Sequence, residues 1–451
     1  MALIASMISV STMAAEGHTC IPRAKKTVLK RMDWDTRLKS LTDKKFQRRY
    51  RIDKEGFDIL LADIKQYLPR VRRGGVCNEL KLAMTLRWLA GGSYLDIAGA
   101  QAPLPVRSQS VYTQCVSQGI HADLHGVSED TMYRHVWKII RAIDRKFKLP
   151  LINQLNNVHL PSSGTDRSDV ETVAQGFDEK THGVMSGCIG AVDGIAIKLD
   201  ARTLADVDSK AAHWCRKGFY SLNYQVVADS NRRITWASAK FCGSTHDSVA
   251  LDQTELGKIL TDPTHPINKT NYWLAGDDAY KGVAGKSDSL LTPHPVGRGY
   301  TEQMDAFNFY QSMLRIDVEC TFGAVIHRWG ILQRKLSVDN LFRVTKLLSV
   351  ICKLHNICME RNLPDHVGRV MSDSYGEKTR GGDMWGGDWA THRLPDEPDS
   401  DDEDAVPLRA ASKYKKQRLR DELTSKLERF SMSRPRHSTY RPMRRQRTMQ
   451  G

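Results

Sequence analysis

Residues 187–199 read GCIGAVDGIAIKL, an apolar, β-type run with a single carboxylate, Asp193, at its centre. Such a run predicts a buried central strand. A carboxylate inside it is costly unless a partner or a cation meets it. The ordinary alternative is an Asp in a turn ended by Gly194. Downstream, SLNYQVVAD (221–229) and RITWASAKF (233–241) predict a hairpin across Ser230-Asn231-Arg232. GSTHDSVALDQTELGKIL (243–260) opens on turn residues and continues at helical spacing, with Asp247 in its first turn. There Asp247 also suits the helix dipole. NYWLAGDDAYKG (271–282) predicts a short strand that ends in Gly276-Asp277-Asp278. Carboxylates at the C-terminal end of a strand lie where α/β sheets place their sites, although turns favour Asp and Gly as well. A long helix is predicted from about Gln303 to Trp329, with Glu319 beside its apolar stripe and four residues after Arg315. An Arg315–Glu319 ion pair on a solvated face is the plain reading of that spacing.

Singly, each carboxylate has an ordinary explanation. Their order is more telling: Asp on the first strand, hairpin, helix, Asp ending a further strand, then a helix with Glu. This order predicts an α/β fold with a ribonuclease-H-like core, a mixed sheet with flanking helices. The first and fourth strands are then neighbours and the last helix packs over them. A site for two divalent cations needs several hard oxygen donors, which Asp and Glu supply; His and Cys suit zinc.

The rest of the chain sets the context. Its 451 residues exceed one ordinary domain. The net charge of +15 favours a polyanionic partner, or else only a soluble basic surface. The nine cysteines are scattered without a CxxC pair, which argues against a disulfide framework and a thiolate zinc site. Cys352, His355 and Cys358 have helical spacing in an apolar run, where core packing is the expected role. No run of eighteen apolar residues exists, so no spanning helix and no membrane association are expected. The apolar start, MALIASMISVSTMAAEG, has no positive n-region and is read as a disordered leader.

Helical spacing begins at Asp43 and runs to about Leu68, a second helix covers roughly 78–90, and Ser93 caps a short third. Residues 101–126 read as an inserted loop. Ser128 then caps a strong helix that carries Tyr133, Arg134, His135 and Lys138. Helix, turn and capped helix resemble a helix-turn-helix DNA reader, with Arg134 and Lys138 as candidate contacts. A plain bundle supporting the next domain fits equally ordinary spacing. The tail holds an acidic run (396–404), a charged helical stretch (412–430) and a basic end. Outside that helix it is expected to be disordered, and its basic clusters suit nuclear import or DNA contact. These readings divide the chain into a leader with basic linker (1–32), a helical domain (33–148), a linker (149–184), a catalytic domain (185–361) and a charged tail (362–451).

Six motifs in this order, GCIGAVDG, RKGFYSLNYQVVAD, GSTHDS, LAGDDAY, LLTPHP and FNFYQSMLRIDVECTFGAVIHRWGIL, resemble the PIF/Harbinger superfamily of DDE transposases. The final LFRVTKLLSVICKLHNICMERN fits that family's usual end, and KKFQRRYRIDKEGFDIL with LRWLAGGSYLDIA looks like its N-terminal region. The resemblance implies a catalytic trio of Asp193, Asp277 and Glu319, with Asp247 as a further metal ligand. It implies Mg²⁺ or Mn²⁺, two ions in all, and cleavage and strand transfer at transposon ends. It also implies DNA and a separate Myb-like protein as partners, a homo-oligomeric active complex and a nuclear location. Arg216 and Lys217 of the RKG motif are candidate phosphate contacts, or a solvated basic turn. His246 is a candidate proton carrier, with helix capping as its plainer role. Two departures stand out. Cys320 follows Glu319 where the family has Arg, which removes a nearby guanidinium, and Asp278 adjoins Asp277 and contests its role. A domesticated derivative that binds without cleaving is the alternative, as is another nuclease on the same fold; all four acidic residues are present, and the motif run speaks for a transposase.

Overall fold

Short capped helices begin the described part of the chain. The computed structural model describes residues 33–93, 125, 127–158, 170–364 and 419–427. Helices α1 (Trp34–Ser40), α2 (Asp43–Tyr50) and α3 (Lys54–Ile64) are capped by Asp33, Thr42 and Asp53. The single pattern expected over 43–68 is thus two helices and a short 3₁₀ turn. Arg51 breaks it in the left-handed region at φ 65°, and the Asp53 side chain starts the next helix by accepting from Gly56 N–H. Trp34, Phe46, Tyr50 and Phe57 pack ring on ring between these helices. Helix α4 (Asn78–Leu89) is buried on nearly all sides. The short helix and inserted loop expected after it lie almost wholly outside the described residues.

Helix α5 (Glu129–Lys146) starts at Ser128, as its sequence predicts. Its stripe of Met132, Val136, Ile139, Ile140 and Ile143 is buried. The segment 149–184, read as a linker, carries two helices, α6 (Leu151–Asn156) and α7 (Val170–Lys180). Apolar residues within the polar sequence explain this: Val170, Ala174 and Phe177 recur at helical spacing and are buried.

The sheet comprises β1 (Cys188–Lys198), β2 (Trp214–Cys215), β3 (Phe219–Ala228), β4 (Ile234–Cys242), β5 (Trp273–Gly276) and β6 (Leu290–Leu291). Its order is β4-β3-β1-β5-β6, and β2 adds to β3 near Phe219 and Tyr220. β1, β3 and β4 run antiparallel, whereas β1, β5 and β6 run parallel. The strands on the first and last of the two Asp motifs are therefore neighbours, as their order predicts.

Helices cover both faces. On one lie α6, α8 (Asp247–Asp252), α9 (Glu255–Thr261) and α10 (Lys281–Ala284), packed on Ile189, Val192, Val227 and Leu274. Thr254 caps α9, so the one helix expected over 243–260 is two. On the other face lie α11 (Glu302–Arg328) and α12 (Leu341–Glu360), in one core with Ala191, Ile197 and Val226. That core also includes the helices before residue 147. Cys352, His355 and Cys358 are buried in it with separate partners: Tyr224 Oη at 2.7 Å, the Arg232 carbonyl at 2.9 Å and the Arg51 carbonyl at 3.5 Å. Helical residues 419–427, within the stretch expected to be helical, add Leu419, Leu423 and Leu427 to the same core, which places part of the tail inside the fold. Arg420 Nη2 donates there to the Thr292 carbonyl at 2.7 Å. Among the described residues no helix is long and apolar enough to cross a membrane.

Asp144 on α5 joins the helical region to α12. It accepts from Lys353 Nζ at 2.5 Å, Lys346 Nζ at 2.7 Å and Ser349 Oγ at 2.9 Å. Burial pushes its carboxyl up, but the lysine and serine hydrogen bonds together outweigh burial and hold it at about 2. Arg343 stacks over Tyr133 and Trp137 at 5.2 and 5.0 Å to the ring centroids. The face of α5 that carries Tyr133 therefore supports the sheet domain. Asp144→Ala is expected to cost ~3 kcal/mol in urea unfolding, because Lys353, whose side chain is 6% exposed, keeps a buried charge without its partner. Since the folded pKa lies below the ordinary 3.8, the Asp144 contribution is complete above that pH and is lost as pH falls through about 2.

Candidate active site

Pairing between β1 and β5 places the first two carboxylates. The parallel ladder runs from Cys188–Trp273 to Val192–Gly276. Asp193 and Asp277 directly follow the last pair of that ladder; β1 runs on, with Asp193 opposite Val226 of β3, whereas β5 ends at Gly276. Strand alternation sends Asp193 to the α11 side, with Ala191 and Ile197. Asp277 accepts from Ala279 N–H at 2.8 Å and caps the 3₁₀ turn that follows.

Helix α11 brings the third. Its buried Gln311 donates from Nε2 to the Gly276 carbonyl at 2.7 Å and the Leu291 carbonyl at 3.2 Å, which pins the helix across the ends of β5 and β6. Glu319 is eight residues further, about 12 Å along the axis. It is exposed and pairs with Arg315 at 3.7 Å, so the ion pair that the spacing predicts is present.

Asp193, Asp277 and Glu319 share one field. Burial raises the Asp193 carboxyl to about 7, and the charges of Asp277 and Glu319 push the same way. The Gly194 N–H, 2.8 Å from Asp193 Oδ1, and Arg315 act against them. The loss of a guanidinium expected from Cys320 is thereby corrected: Arg315, one helical turn before Glu319, supplies one. Asp278 is exposed and pairs with Lys281, whereas Asp277 is the residue that Asp193 senses.

Burial first, then the charges of Asp193, Asp247 and Asp277, raise the Tyr280 hydroxyl well above its ordinary value, so Asp247 shares a neighbour with the other two. Asp247 lies on the Gly194 side of β1, opposite to the Asp193 side chain. Its Oδ1 accepts from Asn223 Nδ2 at 2.8 Å and Gln225 Nε2 at 3.0 Å. Gln225 in turn accepts through Oε1 from the buried Tyr280 hydroxyl. A Cβ on Gly194 would sit 2.6 Å from Asp247 Oδ1 and 2.5 Å from Gln225 Nε2, so the glycine makes room for this network. Sequence reasoning missed Asn223, Gln225, Tyr280 and Gln311. Asn and Gln two apart on an otherwise apolar strand were the available signal for the first pair.

The remaining candidates lie elsewhere. Arg216 and Lys217 are exposed on the turn between β2 and β3. Arg134 is exposed and pairs with Asp130 at 2.7 Å, and Lys138 is half-buried on α5. His246 caps α8 by accepting from Ser248 N–H at 3.3 Å, the plainer of its two expected roles.

The donor set of Asp193, Asp277 and Glu319 is all hard oxygen and suits a divalent cation in charge and chemistry. In this conformation each carboxylate is engaged by its own partner, and among the described residues no three Asp, Glu, His or Cys side chains are grouped to hold a metal ion.

The family described as DDE superfamily endonuclease matches residues 192–356. "Putative nuclease HARBI1" of Bos taurus is 23% identical over 256 residues, 56% of this chain and 65% of that protein. The protein of the same name from Homo sapiens is 23% identical over the same length. "Protein ALP1-like" of Arabidopsis thaliana is 22% identical over 339 residues, 71% of this chain and 72% of that protein. The match to the HARBI1 proteins spans just under two thirds of their length. No solved structure gives a significant match.

Gly194→Ala is expected to displace Asp247 and Gln225 and to lower stability by ~1–3 kcal/mol. Urea unfolding of the variant against the parent protein measures this.

Proposed function

We propose that this chain, which carries a DDE superfamily endonuclease domain and belongs with the PIF/Harbinger superfamily, is a divalent-metal-dependent DNA endonuclease of the transposase type. The observation that supports this reading is that Asp193 and Asp277 directly follow the last β1–β5 pair, with the charges of Asp277 and Glu319 felt at Asp193. The order β4-β3-β1-β5-β6 supports a ribonuclease-H-like core.

Asp193, Asp277 and Glu319 would hold the cation, Mg²⁺ or Mn²⁺ and two in number. Bound there, it supplies Lewis-acid polarisation of a phosphodiester and a nucleophilic water or 3′-hydroxyl. The chain itself does the positioning. Gln311 fixes α11 to the ends of β5 and β6. Gly194 N–H holds one oxygen of Asp193. Ala279 N–H orients Asp277. Arg315 holds positive charge beside Glu319, where a backbone phosphate would approach. Asp247 acts as a support on the opposite face or as a further ligand after rearrangement. Arg216, Lys217, Arg134 and Lys138 are proposed DNA contacts, and the two exposed at the β2–β3 turn are the most accessible. The DNA would be the element's ends and its target, the active complex a homo-oligomer, the location nuclear and the targeting partner a Myb-like protein.

One observation favours a second reading, a domesticated DNA- or protein-binding factor: the three carboxylates are engaged separately in this conformation. A single assay decides. Cleavage of a plasmid that carries the inverted repeats flanking the coding region is followed with Mg²⁺ or Mn²⁺. Asp193→Asn and Asp277→Asn are expected to lose ~10²–10³-fold in rate, the scale of losing an electrostatic catalytic group. Asp278→Asn is expected to keep cleavage near the parent level. Equal cleavage by the parent and Asp193→Asn sinks the site, and no cleavage by any form under either metal favours the binding factor.

A further inference from the structure

Away from the carboxylates, arginines gather where α2 and α4 meet the ends of α11 and α12. Arg328 is the last residue of α11, nine residues or about 14 Å along the helix from Glu319. It is 2% exposed. Its Nη2 donates to the Leu363 carbonyl at 3.1 Å, but among the described residues its Nε and Nη1 have no nitrogen or oxygen partner. Among the described residues no carboxylate pairs with it. Cys358 lies beside its guanidinium and donates from Sγ to the Arg51 carbonyl at 3.5 Å, which ties the two arginines together.

Arg51 is half-buried at the end of α2, and its Nε also lacks a partner. Arg87 lies in the last turn of α4. The end of α4 seats on the turn that follows Arg328, so closely that a Cβ on Gly330 would be 2.7 Å from the Ala90 carbonyl. Arg48, exposed on α2, completes the group. The group is coupled: burial first, then the charges of Arg87, Arg48 and Arg328, lower the Arg51 pKa. The acids nearby are taken. Asp53 and Glu55 both accept from Arg361, at 2.6 and 2.7 Å.

Buried guanidinium groups are normally paired, because desolvating an unpaired charge is costly. Here the cost falls on a buried arginine beside a half-buried one, with an exposed arginine leading in from solvent. We propose that Arg51, Arg87 and Arg328 form a phosphate-binding site at the seam between the helical region and α11–α12, with Arg48 at its mouth. The ligand class is a phosphate oxyanion, whose oxygens match the forked donors of arginine better than a chloride or a single carboxylate does. Two sources share that chemistry: a backbone phosphate of bound nucleic acid and free inorganic phosphate. The site lies outside the carboxylate trio and does not depend on cleavage.

The test uses the full chain and inorganic phosphate. Thermal unfolding is followed across a phosphate titration, with chloride at matched ionic strength as reference. The parent protein is expected to melt higher in phosphate than in chloride. Arg51→Gln and Arg87→Gln, at half-buried positions, are expected to weaken the apparent phosphate affinity about tenfold or more. Arg328→Met removes the buried charge and is expected to melt no lower in chloride while losing the phosphate response. A parent protein indifferent to phosphate overturns the proposal, as does an undiminished response in both Arg51→Gln and Arg87→Gln. A short duplex titrated at several salt concentrations separates the sources. Weaker binding by Arg51→Gln, with a salt slope smaller by about one, assigns the site to the nucleic-acid backbone. Unchanged duplex binding beside a lost phosphate response assigns it to the free ion.

Discussion

The parallel ladder between β1 and β5 is the constraint on which the site rests. It is short, ending at Val192–Gly276, and both strands continue with an aspartate. Where that ladder stops β5 ends, while β1 runs on against β3 with Asp193 opposite Val226. Neither Asp needs to be held by a long loop. Register sets where each Asp falls, and a one-residue slip would turn Asp193 to the other face. Trp273 guards that register: it is fully buried, and its indole N–H donates to the Ser186 carbonyl at 2.9 Å just before β1 begins.

The helix that delivers Glu319 depends on the same strand ends. Gln311 reaches the carbonyls of Gly276 and Leu291, so α11 is registered to the sheet by hydrogen bonds and not only by apolar packing. Hydrophobic contacts tolerate small shifts, whereas a buried amide satisfied by two carbonyls does not. The opposite face uses a similar device. Asn223, Gln225 and Tyr280 hold Asp247 against Gly194, so polar groups from β3, α8 and the turn after β5 lock one another. The sheet is thus braced by polar contacts on both sides of Asp193.

Much of this was legible in the sequence, and the reasons differ by element. The strand at 188–198 and the helix at 302–328 are long and strongly patterned, so their periodicity outweighs local ambiguity. The order of Asp193, Asp277 and Glu319 carried the topology, because each acid sits at an element's end or face. Single-residue interruptions were harder. Arg51 in the left-handed region and the Thr254 cap split helices that apolar spacing alone reads as continuous. The face on which Asp247 lies was not legible, because it depends on which side of β1 α8 packs. Nor was Arg315 as a neighbour of Asp193: sequence spacing showed only its pairing with Glu319. The helices within 149–184 were masked by a polar composition around a few buried apolar residues.

The docked segment 419–427 bears on where this protein can be divided. Its three leucines share a core with the sheet domain, and Arg420 occupies the Thr292 carbonyl in the loop after β6. Burial and the Arg420 charge hold His294, two residues on, at a pKa of about 4, so its ring is neutral there. A fragment cut at residue 361 would bare that carbonyl and the leucine-lined surface together. Cutting at 184 would equally strip α7 from β1. The body that folds is therefore larger than residues 185–361, because segments before and after that span complete its cores.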